Sequence, residues 1–93
     1  MSNQKFNSVW DALEDTSAEA ENMKLRSKLM MALEQHLTRN GLSQAEAAKL
    51  LGVTQQRVSD LLRGKINLFG LDALVNMAAA AGLQVEMRVR KAA

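Results

Sequence analysis

Between Gln55 and Arg63 the sequence reads QQRVSDLLR, and its polar side chains are types that hydrogen-bond nucleobase edges and phosphates. Gln sets a donor beside an acceptor and fits adenine bidentately. Arg fits guanine or phosphate, Ser fits either kind of site, and Asp accepts from cytosine. On a helix turning about 100° per residue, Gln56, Ser59, Asp60 and Arg63 share one arc, with Gln55 and Arg57 beside them. Val58, Leu61 and Leu62 share the opposite arc and are expected to face the core. The pattern predicts base reading by Gln55, Gln56, Ser59 and Asp60; the competing reading is an ordinary polar helix face. Asp60 has a further alternative. A carboxylate is repelled by phosphate, so it can instead orient Arg57 or Arg63, which lie three residues before and after it.

A helix that carries readers must be held against a second element, and the sequence upstream supplies one. Ser43 with Glu46 forms a capping box that opens a helix ending at Gly52, and Thr54 caps the next, which Gly64 stops. Two short helices thus share a tight turn at Gly52-Val53-Thr54. Ala48 must be small where the second helix crosses it, and Gly52 must adopt a backbone conformation that a β-carbon resists. Val53 plugs the corner, while Ala47, Leu51, Val58 and Leu61 fill the angle between the helices. Ala48, Gly52, Val53, Val58 and Leu61 are the structural positions of a helix-turn-helix.

Around this pair the chain shows three further helical patterns. Ser8 with Asp11 opens a short one that places Val9, Trp10 and Leu13 on one side. Thr16 with Glu19 opens a long one, from Ser17 to about Asn40, in which Leu25, Leu29, Leu33 and Leu37 recur every four residues. At roughly 35 Å that rod exceeds so small a domain, and part of it is expected to protrude or to meet a second chain. The last pattern runs from Leu71 to Ala81, ahead of Gly82. Beyond Gly82 the period drops to two: Leu83, Val85, Met87 and Val89 alternate with Gln84, Glu86, Arg88 and Arg90, which predicts a half-buried strand. Its only companion is a weak candidate at 3–7, so pairing with a second copy or another protein is expected. Trp10, Val85, Met87 and Val89 are the expected dimer or partner contacts.

The residues Gln44, Ala48, Gly52, Thr54-Gln55-Gln56, Val58, Leu61 and Arg63-Gly64-Lys65, with the apolar helix that follows, resemble the phage-repressor-like helix-turn-helix family (the Cro/C1, or xenobiotic-response-element, type). The similarity covers roughly residues 23–81. It implies that Gln44 touches a phosphate and braces Gln55 eleven residues later, that Gln55 and Gln56 read bases, and that Lys65 and Asn67 meet the backbone. The family's third reading position falls on Asp60, where a neutral amide is more usual. Backbone contacts are therefore expected from Gln44, Thr54, Arg57, Arg63, Lys65 and Asn67. The leader FNSVWDALED, the run EAENMKLRSKLMMAL and the segment GLQVEMRV also resemble small antitoxins related to HigA. That likeness implies a dimeric repressor of its own operon that neutralises a ribonuclease-type toxin.

Composition limits the alternatives. At 93 residues the chain is one small domain, and with three aromatics and no proline it favours an all-α fold. The absence of cysteine removes disulfides, thiolate metal sites and a cysteine nucleophile, and a lone His36, read as solvated, leaves no multi-histidine metal site. No catalytic residue, metal site or cofactor is expected. Without a membrane span or secretory segment, a cytoplasmic protein is expected. Residues 1–22 hold one base and five acids, leaving eleven bases and five acids in 23–93, a balance that favours a polyanion. Lys24, Arg26 and Lys28 read as a solvated face, and the methionines as fillers of a leucine-rich core.

The expectation is an all-α, lambda-repressor-like helix-turn-helix domain of about five helices with a short C-terminal β-strand. An acidic leader would span 1–22, the helix-turn-helix domain 23–82, and a strand with a basic tail 83–93. The partners expected are an operator in double-stranded DNA, a second copy of the chain and a cognate toxin, with no membrane. A stand-alone regulator, or an antitoxin working mainly by protein binding, is the alternative.

Overall fold

A computed structural model describes residues 9–91, with side-chain surroundings given from Ser17 onward. Four α-helices follow one another: α1 (Val9–Arg39), α2 (Gln44–Leu51), α3 (Gln55–Leu62) and α4 (Leu71–Ala80), with a short 3₁₀ turn at Ile66–Leu68 between the last two. Helix α1 takes in both of the segments expected to be separate. Thr16 does not start a new helix, because nothing between Val9 and Arg39 breaks one: the stretch holds neither glycine nor proline. Its 31 residues make a rod of about 46 Å, nearly the molecule's 48 Å length.

The rod is used unevenly. From Ser17 to Leu25 every residue is exposed, whereas Met30, Leu33 and Leu37 are buried. These three meet Ala47, Ala48 and Leu51 of α2, Val58 and Leu61 of α3, Phe69, and Leu74, Met77 and Ala78 of α4 in one core. Burial of large aliphatic side chains at roughly 1.5–3 kcal/mol each is what holds so small a bundle together. Leu25, part of the four-residue repeat, lies beyond the reach of the other helices and is exposed.

Local chemistry sets the α2–α3 corner. Ser43 accepts from the Glu46 N–H through Oγ (3.1 Å) while its own N–H donates to Glu46 Oε1 (2.9 Å). Gly52 turns left-handed at φ 70°, ψ 34°, and its N–H closes on the Ala48 carbonyl. A β-carbon there would meet nothing within 4 Å, so the demand for glycine is purely conformational. Thr54 then caps α3, its Oγ1 accepting from the Arg57 N–H at 3.1 Å.

The C-terminal strand does not form. Among the described residues there is no β-ladder; after Gly82 the chain continues to Lys91 without regular secondary structure. Leu83 packs against the core and its N–H reaches the Ala78 carbonyl at 2.9 Å, but Val85, Met87 and Val89 are exposed. A strand needs a neighbour for its backbone groups, and none is found among the described residues. The weak strand candidate at 3–7 and the side chain of Trp10 lie outside the described residues. No helix among those described is long and apolar enough to cross a membrane.

Candidate nucleic-acid interface

Helix α3 is fixed by its inner face. Val58 and Leu61 are buried, Leu62 is partly so, and the helix packs against both α1 and α2. The outer face is open. Gln55, Gln56 and Arg63 are exposed and Ser59 is half-buried, while Asp60, which the wheel puts on the same arc, is buried. Thr54 and Gln44 are also exposed at the starts of α3 and α2. Among the described residues no hydrogen bond joins Gln44 to Gln55, so the expected brace is not made in the free chain.

Asp60 departs most from expectation. Its carboxylate is buried, with the residue only 7% exposed, and is not presented to a ligand. Oδ1 accepts from Gln56 Nε2 at 3.1 Å and lies 3.5 Å from Lys65 Nζ. The backbone assists this: Gly64 at φ 72° reverses the chain after Arg63, and the Lys65 N–H donates to the Asp60 carbonyl at 3.1 Å. Asp60, expected to read bases, is thus buried in the free chain rather than exposed on the outer face of α3. It also does not orient the arginines; it gathers one glutamine and one lysine instead. A cation and a hydrogen-bond donor on one carboxylate offset the cost of burying its charge.

Arg57, expected to meet a phosphate, is half-buried and makes contacts within the chain. Its Nη1 donates to the Leu68 carbonyl at 2.9 Å, and its guanidinium carbon lies 4.1 Å from the centroid of the Phe69 ring. Arg26 reaches the same loop from the other side. Its Nη1 donates to the carbonyls of Ile66 (3.2 Å) and Phe69 (3.4 Å), while its Nε is buried without a partner. Two arginines, on α1 and α3, thus hold the 3₁₀ turn whose core anchor is the fully buried Phe69. Arg26 is not part of a solvated face, and the only hint in the sequence is that one of three aromatics follows the Arg-Gly-Lys turn. The loop so held exposes Lys65 and Asn67 beside the outer face of α3.

The result is a polar ridge of Gln55, Gln56, Ser59 and Arg63, bordered by Lys65 and Asn67, standing on a rigid base. Val53 is half-buried at the corner, as its plugging role requires. Val85, Met87 and Val89 lie apart from this ridge, on the tail beyond α4.

Comparison with known proteins agrees with this geometry. The family described as Helix-turn-helix domain matches residues 12–90. A solved structure assigned to the XRE family of transcriptional regulators is 35% identical, with a TM-score of 0.73, over 80% of this chain and 83% of that one. No curated protein matches the chain. A small, double-capped corner, a helix with one buried and one polar face, and these matches lead to one assignment: the chain belongs to the XRE-type helix-turn-helix family.

Proposed function

We propose that this chain is a sequence-specific duplex-DNA-binding transcriptional regulator that acts as a cytoplasmic homodimeric repressor. The observation that carries the reading is α3 itself, with Val58 and Leu61 buried while Gln55, Gln56 and Arg63 stand exposed. A helix of this width fits the major groove, where Gln55, Gln56 and Ser59 meet base edges. Arg63, Lys65 and Asn67 approach the phosphates, with Gln44 and Thr54 at the two helix starts contributing further backbone contacts. Arg57 and Asp60 act from behind, the first by holding the loop and the second by holding Gln56 and Lys65. The similar XRE-family regulator supports the same reading.

One module reads few base pairs, and pairing two is the usual route to useful specificity. The tail supports a dimer: Met87 is 67% and Val89 85% exposed in the single chain, and covering them would remove apolar surface from water. The same exposed tail favours a second reading, an autoregulating antitoxin in which this segment holds a ribonuclease-type toxin.

Selection from a random duplex library tests the function. A defined, inverted-repeat site is expected, with affinity falling steeply as salt rises because phosphate contacts release counterions. Equal binding to every duplex, or none, refutes it. Truncation after Gly82 tests the dimer by mass in solution; a truncated chain that stays dimeric removes the tail from that contact. Addition of the protein encoded by the neighbouring reading frame separates the second reading, which requires a complex lost on the same truncation.

A further inference from the structure

We infer that Asp60 is a specificity-determining residue that never touches DNA: it locks the Gln56 amide in the orientation that selects adenine. The inference rests on the duplex-reading function proposed above and goes beyond it by assigning a base and a device. A free glutamine amide on a helix surface is ambiguous, because rotation by half a turn exchanges its oxygen and nitrogen. In one orientation it offers an acceptor where the other offers a donor, so it can satisfy several bases.

Asp60 removes that ambiguity. A carboxylate only accepts, so it can hold only the nitrogen end of the amide, and Nε2 lies 3.1 Å from Oδ1. The carboxylate is itself held. It sits one turn farther along α3, is almost wholly buried within the folded body, and has the exposed Lys65 Nζ 3.5 Å away as a neighbour that its placement does not depend on. With one N–H given to Asp60, Gln56 retains one N–H and its Oε1 for a ligand. That donor–acceptor pair complements N7 and N6 of adenine. It does not complement guanine, whose N7 and O6 both accept. The same oxygen ties Lys65 to the assembly, so the base reader and the adjoining phosphate cation share one fixed post.

The test uses the full chain and the duplex selected by the wild type, with all four bases placed in turn at the position whose preference Gln56→Ala abolishes. Adenine is expected there, favoured about tenfold over the next base, the scale of one good bidentate contact. Asp60→Asn keeps the size of the side chain but can donate as well as accept, freeing Gln56 to turn over. It is expected to cut the preference to about twofold, and to change nothing at that position when added to Gln56→Ala. Lys65→Met, at an exposed lysine, is expected to weaken all duplexes alike and to lower the salt slope by about one while the adenine preference holds.

Full adenine preference in a folded Asp60→Asn overturns the lock, and so does another base at the Gln56 position. Loss of the preference in Lys65→Met transfers the role to the lysine and also overturns it, whether or not the Asp60 variant folds. A wild type that selects no sequence overturns the duplex-reading function itself, a failure that is seen before any variant is made.

Discussion

Helices α1 and α3 each have a side that packs and a side that does not, but they divide in different directions. Helix α3 divides around its circumference: Val58 and Leu61 face inward while Gln55, Gln56 and Arg63 face out. Helix α1 divides along its length: everything from Ser17 to Leu25 is exposed, and Met30, Leu33 and Leu37 are buried. The circumferential division gives a ridge whose position is dictated by the core beneath it, which is what a surface that must register against a ligand needs. The lengthwise division gives a projecting arm, with apolar residues such as Met23 and Leu25 left partly exposed. The tail from Gln84 onward belongs with the arm in this respect. Rigid presentation and open surface are thus assigned to separate parts of a very small molecule.

The largest effect expected from that division is on stability. Leu33→Ala, at a fully buried position where α1 meets the core, should cost about 2–5 kcal/mol in chemical denaturation. Met87→Ala, at an exposed tail position, should stay within about 0.5 kcal/mol at concentrations where the chain is monomeric. Equal losses would mean that the tail packs on the body in solution. A sharper contrast lies within α3. Arg57→Ala gives up a charge-assisted bond to the Leu68 carbonyl and the stack on Phe69, and should cost about 1–3 kcal/mol. Arg63→Ala should leave the melting curve within about 0.5 kcal/mol of the wild type yet weaken duplex binding. The reverse pattern would exchange the roles of the two arginines.

The smallest effect concerns acid. The Ser43 N–H, and after it the Ser43 hydroxyl, hold the Glu46 carboxyl below its ordinary value. A carboxyl depressed in the folded state contributes stability that is complete above its unfolded pKa of about 4.3 and is lost as pH falls through the folded value. The stability gap between wild type and Glu46→Gln should therefore be constant near neutrality and narrow at pH below about 4. A gap unchanged down to pH 2 would show that the charge of this capping box contributes nothing.

What the sequence made legible follows the range of the interactions concerned. Both helices of the corner, their caps at Ser43 and Thr54, and the left-handed turn at Gly52 depend on residues within four positions of one another, and each formed as its pattern predicts. The inward side of α3 at Val58 and Leu61, and the exposure of Gln55, Gln56 and Arg63, were readable for the same reason. The break expected near Thr16 failed because a capping signal only favours a start; without a breaker before it, the preceding helix runs through. The strand after Gly82 failed because alternation states which side chains share a face, not whether a partner strand exists. Arg26 was misplaced on a solvated face, and the bond of Arg57 to Leu68 went unseen, because their targets are carbonyls of a loop distant in sequence that the fold brings near. Asp60 sits between these cases. Its unsuitability for phosphate was visible, but its attachment to Lys65 depends on the reversal at Gly64, which no helical wheel contains.

The central claim is that the outer face of α3 meets the duplex. Backbone and side-chain amide resonances of the full chain, followed while the selected duplex is titrated in, test it most directly. The account predicts that the largest shifts fall on Gln55, Gln56, Ser59, Arg63, Lys65 and Asn67, while Val58 and Leu61 move little. Shifts confined to the arm before Arg26 or to the tail after Leu83, with α3 unchanged, would contradict it.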